Sequence, residues 1–128
     1  IKKMIKDLNY NINCIALPIV RAKNGLALSS RNQHLSEKQK NIASNIHIAL
    51  LRAQQCIASN EYSVKIVTEA FYNHLNKYDE LKLDYFAISD FKTLQDVKIT
   101  TIGIGRVLIS TAVYIGPVRL IDNIICST

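Results

Sequence analysis

The sequence predicts an α+β fold in which a helix pair packs on a three-stranded, mainly antiparallel sheet. Apolar residues recur at helical spacing over two stretches that a short polar turn separates. From Leu81 onward, apolar and polar residues alternate, as in a half-buried strand. Two further strand candidates are separated only by Gly116-Pro117. Because this connection is too short for a crossover helix, we expect these two strands to pair antiparallel.

Apolar spacing predicts two helices, the first of them with a capping box. The first should begin at Ser36, where Ser-Glu-Lys-Gln fits a capping box, and continue to about Ala58. The second should run from about Ser63 to Tyr78. The expected buried positions are Ile42, Ile46, Leu50, Ala53 and Ile57 in the first helix and Val64, Val67, Phe71, Leu75 and Tyr78 in the second. Because the connection is short, we expect the two helices to pack antiparallel.

The strands are expected at 81–88, 105–114 and 118–125. In the first, the alternation predicts one face formed by Leu81, Leu83, Tyr85 and Ala87. Asp84 and Asp90 are too far apart to act as a catalytic pair on this strand, so we interpret them as solvent-side or turn residues.

The first 20 residues show another pattern. Ile1, Met4, Ile5 and Leu8 share one helix face, and no capping residue precedes them, which indicates a helix entered part-way. Residues 12–20 form an apolar, β-rich stretch with Pro18 near its end. A helix, a turn and an apolar strand are typical of the last αβ unit of a parallel sheet, whose partner strands we expect upstream. We therefore divide the chain into a remnant at 1–20 and a domain at 21–128, and interpret it as a fragment or a processed product.

Composition excludes several classes of protein. Hydrophobic residues make up 48% of the 128 residues and charged residues 20%, which is typical of a globular domain and not of a disordered chain. No apolar run could span a bilayer, and no signal peptide is visible, so we expect a cytoplasmic protein without a membrane partner. The three cysteines are widely spaced and are expected to be reduced thiols. Neither they nor His34, His47 and His74 have metal-ligand spacing, so the histidines are interpreted as surface or satisfied core residues.

A net charge of +6 leaves a basic nucleic-acid-binding module open as an alternative. The lysines are scattered, however, and no nucleic-acid-binding signature is present, so we expect no nucleic-acid partner. A regulatory or interaction domain that keeps the fold without the chemistry is the other alternative.

The segment that carries chemistry is 25–32, Gly-Leu-Ala-Leu-Ser-Ser-Arg-Asn. It places two hydroxyls and a guanidinium on a loop just ahead of a helix. Backbone amides, serine hydroxyls and the planar fork of Arg31 all suit phosphate oxygens. Taken alone, this pattern also fits a solvated turn.

The longer segment 18–36 reads P-I-V-R-A-K-N-G-L-A-L-S-S-R-N-Q-H-L-S and resembles the P-T-V-R-E…D-G-L-A-M-S-S-R-N-x-Y-L-S signature of pantothenate synthetases. Two more matches follow in order. Leu83-Asp84-Tyr85-Phe86, with Asp90 and Leu94, resembles the family's L-D-Y…D…T-L region, and Arg119-Leu120-Ile121-Asp122-Asn123 resembles its R-L-I-D-N. In the latter motif we expect a structural Arg119–Asp122 pair, or backbone hydrogen bonds, to hold the last strand.

The resemblance implies an ATP-dependent ligase with a Rossmann-type nucleotidyl-transferase domain and a smaller C-terminal domain that closes as a lid. Its reaction joins pantoate to β-alanine through a pantoyl-adenylate, with ATP, Mg²⁺ and a homodimeric parent implied. Ser29, Ser30 and Arg31 would hold the triphosphate, and Leu28 would sit beside the nucleotide. Val20 and Leu17 would line the adenine pocket, largely through backbone groups.

The chain departs from the signature at several positions: Ile19 stands for Thr, Ala22 for Glu, Asn24 for Asp, Leu28 for Met and His34 for Tyr. None of these changes the Ser-Ser-Arg group. The family's H-x-G-H-type motif and its pantoate-binding residues belong to the N-terminal domain, and nothing in residues 1–20 resembles them. We therefore expect this chain to supply the triphosphate loop and to be inactive alone.

Overall fold

The computed structural model describes residues 1–97 and 105–127. Its helices are α1 (Lys2–Asp7), α2 (Glu37–Ala43), α3 (Asn45–Ala58) and α4 (Val64–Leu75), with a 3-10 helix at Ser30–His34. Its strands are β1 (Leu81–Asp90), β2 (Arg106–Ile115) and β3 (Val118–Ser127). The sheet has the order β1-β2-β3, and both strand pairs are antiparallel. Helices α3 and α4 pack together, and α3 lies against β3, which confirms the predicted α+β architecture.

The capping box at Ser36 is present, but the single helix expected from there to Ala58 is wrong. The Gln39 backbone N–H donates to Ser36 Oγ at 3.2 Å, and the Ser36 N–H donates to Gln39 Oε1 at 2.9 Å. The helix then breaks into α2 and α3 at Ser44. Ser44 Oγ donates to the Asn41 carbonyl at 2.7 Å, and Asn45 Nδ2 reaches the same carbonyl at 3.3 Å. Such side chains compete with the backbone ladder and favour a break.

The face predicted for β1 is wrong beyond Leu83. The register between β1 and β2 shifts between Leu83 and Tyr85, as at a β-bulge. After the bulge, Phe86 and Ile88 turn toward the core, whereas Tyr85 is 41% exposed. The Phe86 ring stacks on Phe71 with centroids 4.3 Å apart.

The core lies between the helix pair and the sheet. Its largest fully buried side chains are Phe71, Leu50, Ile57, Leu75, Ile109, Ile115, Val67, Val113 and Thr111. The three cysteines are unpaired, as expected, and burial raises the pKa of the Cys126 thiol to about 11. A thiol protonated at neutral pH is a packing group rather than a nucleophile.

The two carboxylates of the β1 region hold local structure. Asp84 Oδ2 accepts from Arg119 Nε at 2.9 Å, on the surface of the sheet. Asp90 Oδ1 accepts from the backbone of Lys92 and Thr93 and from the Thr93 hydroxyl, and these hydrogen bonds lower the pKa of Asp90. Both residues have the solvent-side and turn positions predicted for them.

The N-terminal segment packs little of its apolar surface. The helix α1 is present as expected but contains no buried residue. The strand expected at 12–20 is not formed among the described residues, since no strand lies beside it. Its large apolar side chains are exposed, among them Ile12 at 60%, Ile15 at 75% and Leu17 at 84%. In the described part of the chain, none of the helices is long and apolar enough to cross a bilayer.

Candidate functional site

A short hairpin carries the predicted phosphate loop. The Leu28 N–H donates to the Val20 carbonyl at 2.9 Å, and the Ala22 N–H donates to the Leu26 carbonyl at 2.8 Å. Gly25 has a φ of +92°, a conformation that favours glycine, at the turn between the two arms. The Leu26 side chain is buried and anchors the second arm in the core.

In the loop that follows the hairpin, hydrogen bonds join the two ends, and the residues between them are exposed to solvent. Ser29 caps the 3-10 helix by accepting the Arg31 N–H at 3.2 Å. The buried Asn32 side chain donates through Nδ2 to the Ala27 carbonyl at 3.0 Å. This bond ties the two ends of the loop together, so that Ser29, Ser30 and Arg31 form its tip.

All three predicted phosphate-binding residues are exposed at this tip. Among the described residues, neither the Ser30 hydroxyl nor the Arg31 guanidinium has a hydrogen bond or ion pair to the protein. Their donors are therefore free for a ligand. The structure thus brings together the hydroxyls and the guanidinium that the sequence placed on one loop.

Two cavities flank the loop. The first, of about 300 Å³, is lined by Ser29 and Arg31 together with Arg119, Asp122 and Asn123 of β3. The second, of about 770 Å³, is lined by Ser29 and Ser30 together with Lys23 and Lys40. Cationic side chains border each cavity and favour an anionic ligand. In the second cavity, Lys40 is paired with the lining residue Glu37 at 2.7 Å, which leaves Lys23 as its other cation. The Asp84 carboxylate raises the pKa of Arg119, so this arginine stays protonated.

The other predicted ligand-contacting residues are only partly brought together. Leu28 lines both cavities and is 59% exposed. Val20 and Leu17 line neither cavity and are 68% and 84% exposed. Val20 contributes its backbone carbonyl to the hairpin.

Of the two alternatives expected for the last strand, the Arg119–Asp122 pair is wrong, and backbone pairing with β2 holds the strand instead. Arg119 and Asp122 are three positions apart, and an odd step along a strand places two side chains on opposite faces of the sheet. Asp122 instead accepts a two-pronged ion pair from Arg21, with Nη1–Oδ2 at 2.7 Å and Nη2–Oδ1 at 2.9 Å. Only the folded chain brings these residues together, since they are 101 positions apart in sequence.

His47 of α3 completes this cluster and was misjudged as a surface or satisfied residue. Its Nδ1 is buried without a hydrogen bond, 3.8 Å from Asp122 Oδ2. Burial and the charge of Arg21 lower the pKa of His47, and Asp122 opposes them in part. The ring is therefore neutral at physiological pH. By contrast, His74 meets Asn45 Oδ1 at 3.1 Å, and His34 is exposed.

Within residues 1–97 and 105–127, no three His, Cys, Asp or Glu side chains lie close enough together to hold a metal ion. The carboxylate beside the loop, Asp122, already has both oxygens engaged by Arg21.

A loop closed at its base by a side-chain hydrogen bond, with free hydroxyl and guanidinium donors at its tip, is suited to bind an anion such as a phosphate. The family model of the pantoate-beta-alanine ligases matches residues 1–125. The chain belongs to this family.

Similar proteins agree with this assignment. The chain is 40% identical over 125 residues to a pantothenate synthetase from Moorella thermoacetica, covering 98% of this chain and 43% of the relative. It is 38% identical to one from Fervidobacterium nodosum, with the same coverage. The chain thus spans less than half the length of these relatives.

Solved structures show the same fold. A pantothenate synthetase from Thermus thermophilus matches with a TM-score of 0.85 and 31% identity, over 96% of this chain and 43% of that one. A pantoate-beta-alanine ligase from Francisella tularensis, complexed with beta-gamma ATP and beta-alanine, matches with a TM-score of 0.56 and 28% identity, over 96% of this chain and 37% of that one.

Proposed function

We propose that this chain supplies the triphosphate-binding loop of an ATP-dependent ligase that condenses pantoate with β-alanine. In the first step, a pantoate carboxylate oxygen attacks the α-phosphorus of ATP, and the bond to pyrophosphate breaks. In the second, the β-alanine amine attacks the carbonyl of pantoyl-adenylate, and AMP leaves. Family membership and the ATP and β-alanine bound to the Francisella homologue support this assignment.

The single observation that carries the proposal is the unpaired tip of the loop. Arg31 is exposed and has no partner in the described part of the chain, while the loop beneath it is held by hydrogen bonds. Donors fixed in place and free of internal partners lose little when they bind an anion. Arg31, Ser30 and Ser29 therefore act on the β- and γ-phosphates and on the departing pyrophosphate.

Leu28 is proposed to lie beside the nucleotide, and Val20 and Leu17 to line the adenine pocket. Leu28 is the best placed, since it directly precedes Ser29 and borders both cavities. Val20 lies opposite it across the hairpin. Mg²⁺ would be carried on the phosphate oxygens of ATP rather than by a cage of protein carboxylates, because Mg²⁺ commonly binds through substrate phosphates.

The exposed apolar segment 1–20 is proposed to belong to the N-terminal, Rossmann-type domain of the same enzyme, and 21–128 to be its lid domain. An exposed apolar stretch of this kind marks an interface, and the relatives extend well beyond the part that this chain matches. The complete ligase is proposed to be a cytoplasmic homodimer.

Activity of the separate chain is the direct test. With ATP, pantoate and β-alanine, the purified 128-residue chain should form no pantothenate, whereas the complete ligase that contains it should. Turnover by the chain alone would show that the adenylation site does not need a further domain.

Binding provides a second test. In NMR titrations of the chain, tripolyphosphate should shift the amides of residues 28–32 in a salt-dependent way, and adenosine should shift them less. A preference for adenosine, or shifts elsewhere only, would contradict the assignment of the loop to phosphates.

A further inference from the structure

The hairpin that carries the loop is joined to the sheet by a largely buried ion pair. The side chain of Asp122 is 5% exposed and that of Arg21 is 19% exposed. Arg21 donates to both carboxylate oxygens, and the Asn123 N–H donates to Oδ1 at 2.7 Å. This planar, two-pronged geometry fixes direction as well as distance, which a point charge such as lysine does not.

Arg21 also connects directly to the opposite arm of the hairpin. Its Nη1 donates to the Gly25 carbonyl at 3.1 Å, and its backbone bridges Ala27. The Ala27 carbonyl in turn accepts from the Asn32 side chain at 3.0 Å, which closes the loop. A continuous set of polar contacts therefore runs from Asp122 on β3 to both ends of the Ser29–Arg31 tip.

The α3 helix supports the pair from below. The His47 ring lies under the hairpin turn, where a Cβ added to Gly25 would be 3.1 Å from His47 Cδ2. The turn is thus enclosed by His47 on one side and by the Arg21–Asp122 pair on another. This leaves the hairpin little freedom to pivot about its base.

We infer that Arg21 and Asp122 are positioning residues for the phosphate loop, and that their ion pair sets where Ser29, Ser30 and Arg31 present their donors. This inference rests on the proposed function, because the tip must bind phosphate for its position to affect the reaction. Since a displacement of about 1 Å can cost on the order of a hundredfold in rate, weakening the pair should slow adenylate formation.

A purely structural pair would behave differently. Its loss would lower the stability of the chain but leave the folded loop, and the rate of the folded enzyme, unchanged. The two roles are separated by measurements on protein that remains folded.

The experiment compares Arg21→Lys, Asp122→Asn and their double variant with Glu69→Gln as the control. Glu69 also forms an ion pair, with Lys65, but the pair lies on the exposed side of α4 and lines neither cavity beside the loop. In the 128-residue chain, amide exchange of residues 22–32 should accelerate by about tenfold or more in both single variants, without the same change in β2. The control should leave this segment unchanged.

In the complete ligase, single-turnover adenylate formation should slow by about tenfold to a hundredfold in each single variant. The KM for ATP should change less, because the loop would still bind phosphate but out of line with the reacting atoms. The double variant should be little worse than either single one, as for two partners of one interaction. Arg21→Lys keeps the charge, so the result does not depend on whether Asp122→Asn folds.

Three outcomes are informative. Unchanged loop exchange and unchanged adenylation in folded variants, with reduced stability alone, would overturn the inference, as would additive effects in the double variant. If the unsubstituted complete ligase forms no adenylate, the proposed function fails; faster exchange of the hairpin in the variants would then still support the positioning contact.

Discussion

Replacing Arg31 with alanine in the complete ligase separates a role in ground-state binding from a role in the chemical step. The Arg31 side chain is exposed and, within the described residues, makes no hydrogen bond or ion pair. Its removal should therefore change the free energy of unfolding by no more than about 0.5 kcal/mol. Any large kinetic effect then reflects an interaction with the substrates.

The magnitude follows from the position of the charge. As the bond between the α-phosphorus and pyrophosphate breaks, negative charge grows on the leaving group. A cation held at the tip of a rigid loop gains interaction energy at this point that it lacked in the ground state. Removal of one such donor typically costs about a hundredfold to a thousandfold in kcat, or roughly 2.7–4 kcal/mol. Arg31→Lys should recover only part of this, because the ammonium keeps the charge and loses the two-pronged geometry.

Single-turnover formation of pantoyl-adenylate, measured across ATP concentrations, gives the binding constant and the chemical rate separately. Arg52→Ala is a matched control, since Arg52 is an exposed arginine of α3 remote from the loop. It should leave both constants near their original values. If Arg31→Ala weakened ATP binding by the whole of its effect and left the chemical rate unchanged, Arg31 would be a binding residue only.

Three further substitutions test the structure around the loop and the core. Gly25→Ala should destabilise the chain by about 1–3 kcal/mol in denaturant unfolding, because its φ is +92° and the new Cβ would meet His47; a neutral effect would show that the turn can rearrange. The lowered pKa of His47 implies that its contribution to stability is complete above the ordinary value of 6.5 and declines as the pH falls below it. Below pH 6.5, the unfolding free energy of His47→Gln should therefore fall less steeply with decreasing pH than that of the unsubstituted chain, by up to about 1.4 kcal/mol per pH unit. The pKa of His74 is also lowered, so its similar contribution should remain in this variant. An unchanged slope would contradict the assignment to His47. Phe71→Ala should cost about 3–5 kcal/mol, since Phe71 is fully buried and stacks on Phe86; a loss below about 1 kcal/mol would mean that the core closes over the cavity.

Features that depend on local chemistry could be predicted from the sequence. The capping box at Ser36, the turn at Gly116-Pro117 and the antiparallel pairing of the last strands follow from short-range rules, and the structure confirms them. The candidate phosphate loop came from the resemblance of segment 18–36 to the family signature. Its residues are contiguous, so the structure places them together at one loop tip, and phosphate binding by that tip stays a prediction.

Features decided by the balance of local and tertiary interactions were predicted less well. The break at Ser44 lies within a continuous apolar pattern, so helical periodicity gave no sign of it. The bulge at Asp84 reverses the inward face of β1, and simple alternation cannot reveal an inserted residue. At both positions the apolar periodicity of the sequence continues, but one side chain or one inserted residue interrupts the regular helix or strand.

The anchor of the loop could not be predicted at all, for a different reason. Arg21 lies in a turn-rich loop and Asp122 in an apolar strand, and either could pair with several nearby charges. Which cation pairs with the Asp122 carboxylate depends on distance and direction. These are fixed only after β3 and the hairpin have packed on α3. The His47 interaction depends on the same packing.

The distribution of unsatisfied buried groups distinguishes the region beneath the loop from the rest of the described chain. In the described part of the chain, two buried side-chain atoms lack a hydrogen bond, Asn32 Oδ1 and His47 Nδ1. Asn32 closes the base of the loop and His47 lies against the hairpin turn, so neither atom belongs to the core between the helix pair and the sheet. Folded proteins leave few buried polar groups unpaired, and such departures concentrate at functional sites. A loop that holds the Ser30 hydroxyl and the Arg31 guanidinium away from internal partners, on a base packed around a buried ion pair, has little freedom to satisfy every group beneath it.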